Sequence, residues 1–221
     1  MNDHKEKRVT VILPIRSGSQ RLKHKNIHKI KGKPLYTFII DTLVKCRMVE
    51  KIIINSDYEN LREDYKNDRK IYFLKREKGL EGNCDINLII KSTLNNCQGD
   101  YFLQTHVTNP LLSQKTIETA IELYFTKLYL HDSLFSVTKV QKRFWSSSLL
   151  PINHELSDEQ TTQNLEPYYE ENSCIYLFNR DSFFKKNKRI GLNPQMYEIP
   201  KKEAWDIDDE EDMQIVTKLI D

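Results

Sequence analysis

Short continuous apolar runs alternate along the chain with longer segments whose apolar residues recur every three to four positions. "RVTVILPI" (8–15) is unbroken and rich in β-branched residues, the pattern of a strand covered on both faces. "EKIIINS" (50–56), "RKIYFLKR" (69–76), "DYFLQTHV" (100–107) and "DSLFSVTKV" (132–140) predict further strands. Between them, "PLYTFIIDTLVKC" (34–46), "DINLIIKSTLNNC" (85–97) and "SQKTIETAIELYFTKLYL" (113–130) have helical spacing, with Pro34 suited to a first helical turn. This βαβα rhythm predicts an α/β, Rossmann-like domain: a mostly parallel sheet with helices on both faces.

The rhythm stops after Val140. Residues 141–172 show no clean period and are too many for a plain connection in a compact domain. Phe144, Trp145, Tyr168 and Tyr169 predict a packed arm or subunit contact there rather than a disordered insertion. The α/β domain is therefore read as 1–140 and 173–221, with 141–172 a small inserted dimerisation arm. "SCIYLFNR" (173–180) and "QMYEIP" (195–200) resume as strands. "DDEEDMQIVTKLI" (208–220) closes the chain as a helix whose early acids suit the macrodipole.

One loop changes this picture from fold to chemistry. Directly after the first strand stand Arg16, Arg21, Lys23, Lys25, Lys29, Lys31 and Lys33. Cations this close repel, so they either face water or surround an anion. The net charge is only +2, which disfavours a nucleic-acid binder and makes the basic loop a local feature. In a parallel α/β sheet, ligands sit beyond the carboxyl ends of the strands, where this loop lies. Ser17, Gly18 and Ser19 predict a tight turn whose N–H groups face a phosphate or a base. Arg16 and Lys25 are placed to neutralise a polyphosphate, and Lys29, Lys31 and Lys33 are read as a solvated face. Neither GxxxxGK[ST] nor GxGxxG is present.

An acidic segment, "WDIDDEED" (205–212), answers the basic loop. In an extended stretch Asp206 and Asp208 face the same side. Two convergent carboxylates opposite a cationic loop suit a Mg²⁺ that bridges phosphate oxygens. Asp209, Glu210, Glu211 and Asp212 are assigned to the helix start. The four cysteines, at 46, 84, 97 and 174, have neither CxxC nor zinc spacing and are expected as reduced thiols. The apolar run at residues 9–15 is too short to span a bilayer and no signal-peptide core follows the charged start, so the expected location is cytoplasmic, with no membrane partner.

"LPIRSGSQRLKHKNIHKIKGKPL" (13–35) resembles the nucleotide-binding signature of the acylneuraminate cytidylyltransferases, the CMP-sialic acid synthetase family. That signature is an apolar strand, R-x-G-S-K-R-L-x-x-K-N, and G-K-P-L. "NSDYENL" (55–61), "YFLQTHVTNPLLSQKTIETAIELY" (101–124), "DSLFSVTKV", "ENSCIYLFNR" (171–180) and "WDIDDEEDMQIV" (205–216) resemble the family's later blocks in the correct order. The resemblance implies transfer of CMP from CTP to an acidic sugar, a sialic acid or related nonulosonate, with release of pyrophosphate. It implies Arg16, Lys25 and Asp208 as catalytic groups, and Mg²⁺ on Asp206 and Asp208. Leu13, Pro14 and Ile15, with Ser17, Gly18 and Ser19, would hold the cytosine through the backbone, and Asn26 would bond the ribose or a phosphate. Gln104, Tyr169 and Glu170 would face the sugar. A homodimer through the arm is also implied.

The chain departs from the family pattern in four places, one of them "LQTHVTNPL" (103–111), which is two residues longer than L-Q-P-T-S-P-L. Gln20 stands where Lys is common, Leu112 where Arg is common, and Glu170 and Glu171 where sialate-activating members often carry an Arg for the sugar carboxylate. A carboxylate facing a carboxylate is unfavourable. The acceptor then either carries an amino group for Glu170 or is gripped by another cation such as Lys142 or Arg143. A ketodeoxyoctonate-like acid or a phosphonate as acceptor, and a non-catalytic nucleotide-binding subunit, stand as the other readings. His106 is read as either ligand-facing or simply exposed or hydrogen-bonded.

Overall fold

Alternate residues of the first strand enter two different cores. Val9, Val11, Leu13 and Ile15 join one apolar cluster and Ile12 another, all nearly fully buried. β1 (Val9–Ile15) is therefore a central strand with a helical layer on each side. The computed structural model describes residues 7–18, 22, 25–58, 61–157 and 161–220.

After β1 come a short hairpin, β2 (Lys29–Ile30) and β3 (Lys33–Pro34), then α1 (Leu35–Lys45), β4 (Val49–Ser56), the single turn α2 (Leu61–Asp64) and β5 (Ile71–Lys75). α3 (Ile86–Asn95), β6 (Tyr101–Gln104), α4 (Gln114–Lys127) and β7 (Ser133–Val140) follow. The chain ends with β8 (Tyr168–Asn179), α5 (Arg180–Lys186), β9 (Pro194–Glu198) and α6 (Glu210–Leu219). The main sheet has seven strands in the order β5-β4-β1-β6-β8-β7-β9. All its pairs are parallel except those of β8, which runs antiparallel to both β6 and β7. α1 and α4 pack Ile39, Ile40, Leu43, Ile117 and Ile121 on one face, and α3 and α5 pack Ile90, Leu94 and Phe183 on the other.

The strand and helix expectations hold to within a few residues. Two short helices, α2 and α5, and the β2–β3 hairpin were not foreseen. The hairpin turns through Lys31 and Gly32, both at positive φ (48° and 84°). Pro34 sits one residue before α1, as its N-cap. The early acids of α6 do cap it: Asp209 and Asp212 exchange side-chain-to-backbone hydrogen bonds. The sheet also reclaims the last residues of the expected arm, since Tyr168–Glu171 pair with Val140–Val137. Leu112 is buried in the larger core, where an apolar side chain fits. No helix among the described residues is long and apolar enough to cross a membrane.

A large irregularity in β8 shapes the site. The two steps from Phe135 to Val137 on β7 face the five from Tyr176 back to Glu171 on β8. The excess lies between Glu171 and Tyr176, and Asn172 within it is buried. Ser136 Oγ closes it, donating to Asn172 Oδ1 at 2.5 Å and accepting from the Ile175 N–H at 2.8 Å. Ser173 takes φ +59°, a left-handed conformation that costs a non-glycine residue about 1–2 kcal/mol. Because glycine gives back part of this as chain entropy, Ser173→Gly is expected to stabilise the fold by about 0.5–1 kcal/mol. Thermal denaturation should show it as a rise of roughly 1–4 °C in Tm.

Candidate active site

The loop after β1, the loop after β6 and the segment before α6 meet at the carboxyl ends of the central strands. The last of these is brought there by packing. Ile207 is fully buried with Ile30, Leu35, Met213 and Val216, which anchors the tail beside the β2–β3 hairpin. Its N–H donates to Thr108 O at 2.9 Å, tying it to the loop after β6. Asp212 Oδ2 accepts from the Asp208 N–H at 2.9 Å, and Trp205 Nε1 donates to Asp212 Oδ1 at 3.1 Å, so the segment is held along its length.

This packing joins the basic loop to the acid pair. Lys25, in a short 3₁₀ turn, is buried; its Nζ donates to Ile207 O at 2.5 Å and lies 3.4 Å from Asp208 Oδ1. Arg16 reaches the other way, its Nη1 donating to Asn83 Oδ1 at 2.9 Å. Between them lies a cleft of about 240 Å³ whose walls include Pro14, Arg16, Lys25, Asn26, Arg76 and Asp208. Three cations against one carboxylate make it suited to an anion.

Arg76, at the end of β5, was not foreseen. Its Nε donates to Asn55 Oδ1 at 3.0 Å and its Nη2 to Asn55 O at 2.8 Å, fixing the guanidinium under the cleft. Burial lowers its pKa, but a guanidinium stays charged. A cation ending a parallel strand was the signal available in the sequence.

The other residues expected at the site differ in how they are placed. Leu13 and Ile15 bury their side chains in the core, and Pro14 is the strand residue that lines the cleft. The Ser17 N–H donates to Asp57 Oδ1 at 2.7 Å, so it is occupied by the protein itself. Gly18 lacks a positive φ, and a Cβ there would meet nothing within 4 Å; the backbone does not require glycine. Ser19 and Gln20 lie outside the described residues. Asn26 lines the cleft, and its Nδ2 donates to Arg16 O at 2.9 Å, bracing the loop.

A second, acidic pocket of about 480 Å³ adjoins the first through Asp208, which lines both. Asp206, Asp208, Asp212, Glu170 and Glu171 face it, and Lys201 is the one basic side chain among its described lining residues. Glu170 and Glu171 are the last regularly paired residues of β8 before the bulge, and both line the pocket. Tyr169 is exposed and is not part of this lining. Gln104 is fully buried: Nε2 donates to Thr105 O at 2.9 Å and to His106 Nε2 at 3.0 Å, and Oε1 accepts from Arg189. It acts behind the surface.

The acid pair can be tested as a metal site on its own chemistry. Asp206 Oδ1 is buried and lacks a hydrogen-bond partner. Burial raises the Asp206 pKa, while a Thr108 hydrogen bond and Lys25 oppose the rise. An orphaned carboxylate oxygen beside a second carboxylate fits a hard cation. The described residues hold no cluster of three or more His, Cys, Asp or Glu ligands, so phosphate and water oxygens would complete the shell, the mode Mg²⁺ favours.

His106 lines the cleft as a neutral ring. Burial first, then the charges of Arg189, Lys25 and Arg16, push its pKa down to about 3. Its Nε2 accepts from Gln104, which leaves the proton on Nδ1. The unfolded chain takes up that proton near pH 6.5 and the folded chain does not, so stability falls as pH drops from 6.5 towards 3. Wild type is expected to lose up to about 1.4 kcal/mol per pH unit in this window relative to His106→Gln, read from urea denaturation at pH 7, 6 and 5.

A family model described as cytidylyltransferase matches residues 10–219. The chain belongs to the cytidylyltransferase family. It is 26% identical to an N-acylneuraminate cytidylyltransferase of Escherichia coli O18:K1:H7, over 96% of this chain and 52% of that relative. The chain thus spans about half the length of that relative. It is also 26% identical to the CMP-N,N'-diacetyllegionaminic acid synthase of Legionella pneumophila, over 97% of both chains. Among solved structures, a CMP:2-keto-3-deoxy-manno-octonic acid synthetase complexed with CTP superposes with a TM-score of 0.71 at 13% identity, covering 97% of this chain and 98% of that one. At that identity the likeness bears on the fold, and it agrees with the Rossmann-like sheet.

Proposed function

We propose that this cytidylyltransferase moves CMP from CTP to an acidic nonulosonate-type sugar in the cytoplasm, for surface-glycan synthesis. The observation that carries this reading is the cleft shared by Arg16, Lys25 and Asp208, open to a second pocket through the same Asp208. The cationic cleft receives the triphosphate, with Arg76 beneath it. The acceptor occupies the acidic pocket. Its anomeric hydroxyl passes its proton to a carboxylate of that pocket and attacks the α-phosphorus; the new P–O bond forms as the bond to the β-phosphate oxygen breaks, and pyrophosphate leaves. Transfer of this kind needs alignment and charge neutralisation more than covalent chemistry. Lys25 and Arg16 supply that neutralisation at fixed positions. Asp206 and Asp208 are the groups that would hold Mg²⁺, which when bound neutralises phosphate oxygens.

The relatives named above support the acceptor class, since one is named for acylneuraminate and one for diacetyllegionaminate. We further propose a homodimer through the arm, where Trp145, Leu149, Leu150 and Ile152 are exposed; sedimentation at micromolar concentration should give twice the chain mass. The decisive assay is pyrophosphate release from CTP with N-acetylneuraminic, diacetyllegionaminic, pseudaminic and ketodeoxyoctonic acids. Turnover with one of them, dependent on Mg²⁺, is expected. CTP binding without turnover on any acid would instead favour the non-catalytic reading.

A further inference from the structure

An acid sugar cannot rest in a pocket walled by five carboxylates unless a cation meets its own carboxylate. The described lining offers Lys201, which is exposed. One layer deeper stands Arg189, in the loop after α5, a residue that neither the sequence pattern nor the nucleotide cleft accounts for. Its side chain is only 15% exposed. The guanidinium stacks on the Tyr176 ring, 3.5 Å from its centroid. Nη1 donates to Gln104 Oε1 at 2.5 Å and lies 3.4 Å from His106 Nε2. Nη2 lies 3.8 Å from Glu171 Oε1.

Those contacts place Arg189 between the two cavities. His106 belongs to the nucleotide cleft and Glu171 to the acidic pocket. The ion pair with Glu171 is loose: 3.8 Å exceeds a hydrogen bond, and Glu171 Oε1 instead accepts from the Tyr176 hydroxyl at 2.5 Å. Glu171 is also 45% exposed, so it can turn to solvent, and the Tyr176 hydroxyl then keeps Ser173 Oγ at 3.3 Å as its partner, whereas Arg189 is fixed by stacking and by Gln104. A planar guanidinium matches a carboxylate in bidentate fashion. Here the face is preorganised and its present acid partner is poorly seated.

We propose that Arg189 is the receptor for the acceptor's carboxylate, and that Glu171 holds that place until the acceptor displaces it. The inference rests on the acidic-sugar reading and names the residue that makes that reading compatible with an acidic pocket. Gln104 and Tyr176 act as positioning residues for the guanidinium. The two glutamates thus divide: Glu171 screens a cation supplied from elsewhere in the chain, and Glu170 lines the pocket without being needed for the grip.

The test uses the full chain, the acid that gives turnover in the panel above, and the C1 carboxamide of the same sugar. Wild type should prefer the acid over the amide by about 10–100-fold in kcat/KM, the range for a hydrogen bond to a charged group. Arg189→Met should bring that ratio to about 1 by raising KM for the acid, with the Kd for CTP from calorimetry unchanged. Glu171→Gln should lower KM for the acid several-fold, and by more than it changes KM for the amide; this exposed change keeps the test decisive if Arg189→Met does not fold. An unchanged acid-to-amide ratio in Arg189→Met, or an unchanged acid KM in Glu171→Gln, overturns the proposal while leaving the transferase reading intact. Absence of wild-type turnover with every acid fails the transferase reading itself, and the proposal with it.

Discussion

Lys25→Ala is expected to lower kcat for pyrophosphate release by about 10²–10³-fold, the loss of roughly 2.7–4 kcal/mol seen when one preorganised charge-stabilising donor is removed. The size follows from where the ammonium sits. It is buried, and two of its three donors are spent on Ile207 O and Asp208 Oδ1, so it cannot drift with the ligand. Its position costs no reorganisation at the moment charge develops on the leaving pyrophosphate. Lys25→Arg should not restore the rate, because a planar fork cannot occupy a seat shaped for a compact ammonium. The check is a coupled pyrophosphate assay at saturating CTP alongside thermal denaturation. A loss under about fivefold, with the fold intact, would remove Lys25 from the mechanism.

Asp206→Asn is expected to separate activity from stability. The partly buried carboxylate has a buried oxygen without a hydrogen-bond partner, and burial disfavours its charge. The amide removes that charge at the same volume, so Tm should hold or rise by a few degrees. Activity should fall by about 10²-fold or more, several kcal/mol being the worth of a metal's charge stabilisation, and the Mg²⁺ concentration for half-maximal rate should move upward. An unchanged Mg²⁺ dependence would argue against Asp206 as a ligand. A lower Tm would argue that its ionised form supports the fold. Such a site, costly to the fold and needed for chemistry, is where stability and function commonly oppose each other.

Much of this arrangement was legible before any coordinates. The strands buried on both faces announce themselves as continuous β-branched runs, because each residue meets a core whichever way it points. α5 and the β2–β3 hairpin escaped notice because seven residues and two pairs of residues carry too little periodicity to register. Arg16, Lys25, Asp206 and Asp208 stood out because a basic loop after a strand and an alternating acid pair are local patterns. Arg76 and Arg189 did not, since one more Arg in a chain with 34 Lys and Arg residues carries no mark of burial. Gln104 drew attention at the right place, but its amide orients Arg189 and His106 instead of meeting the pocket directly.

The sequence by itself determined the order of strands and helices, the cationic turn after the first strand and the shared side of Asp206 and Asp208. Each depends on neighbours a few residues away, through side-chain periodicity and turn chemistry. Only the tertiary structure decided which charges meet. Lys25 and Asp208 lie 183 positions apart, and Arg189 lies 85 from Gln104. Those encounters follow from the reversed β8 strand, its bulge and the burial of Ile207. Packing of this kind is a property of the whole assembled core, and no short window of sequence contains it.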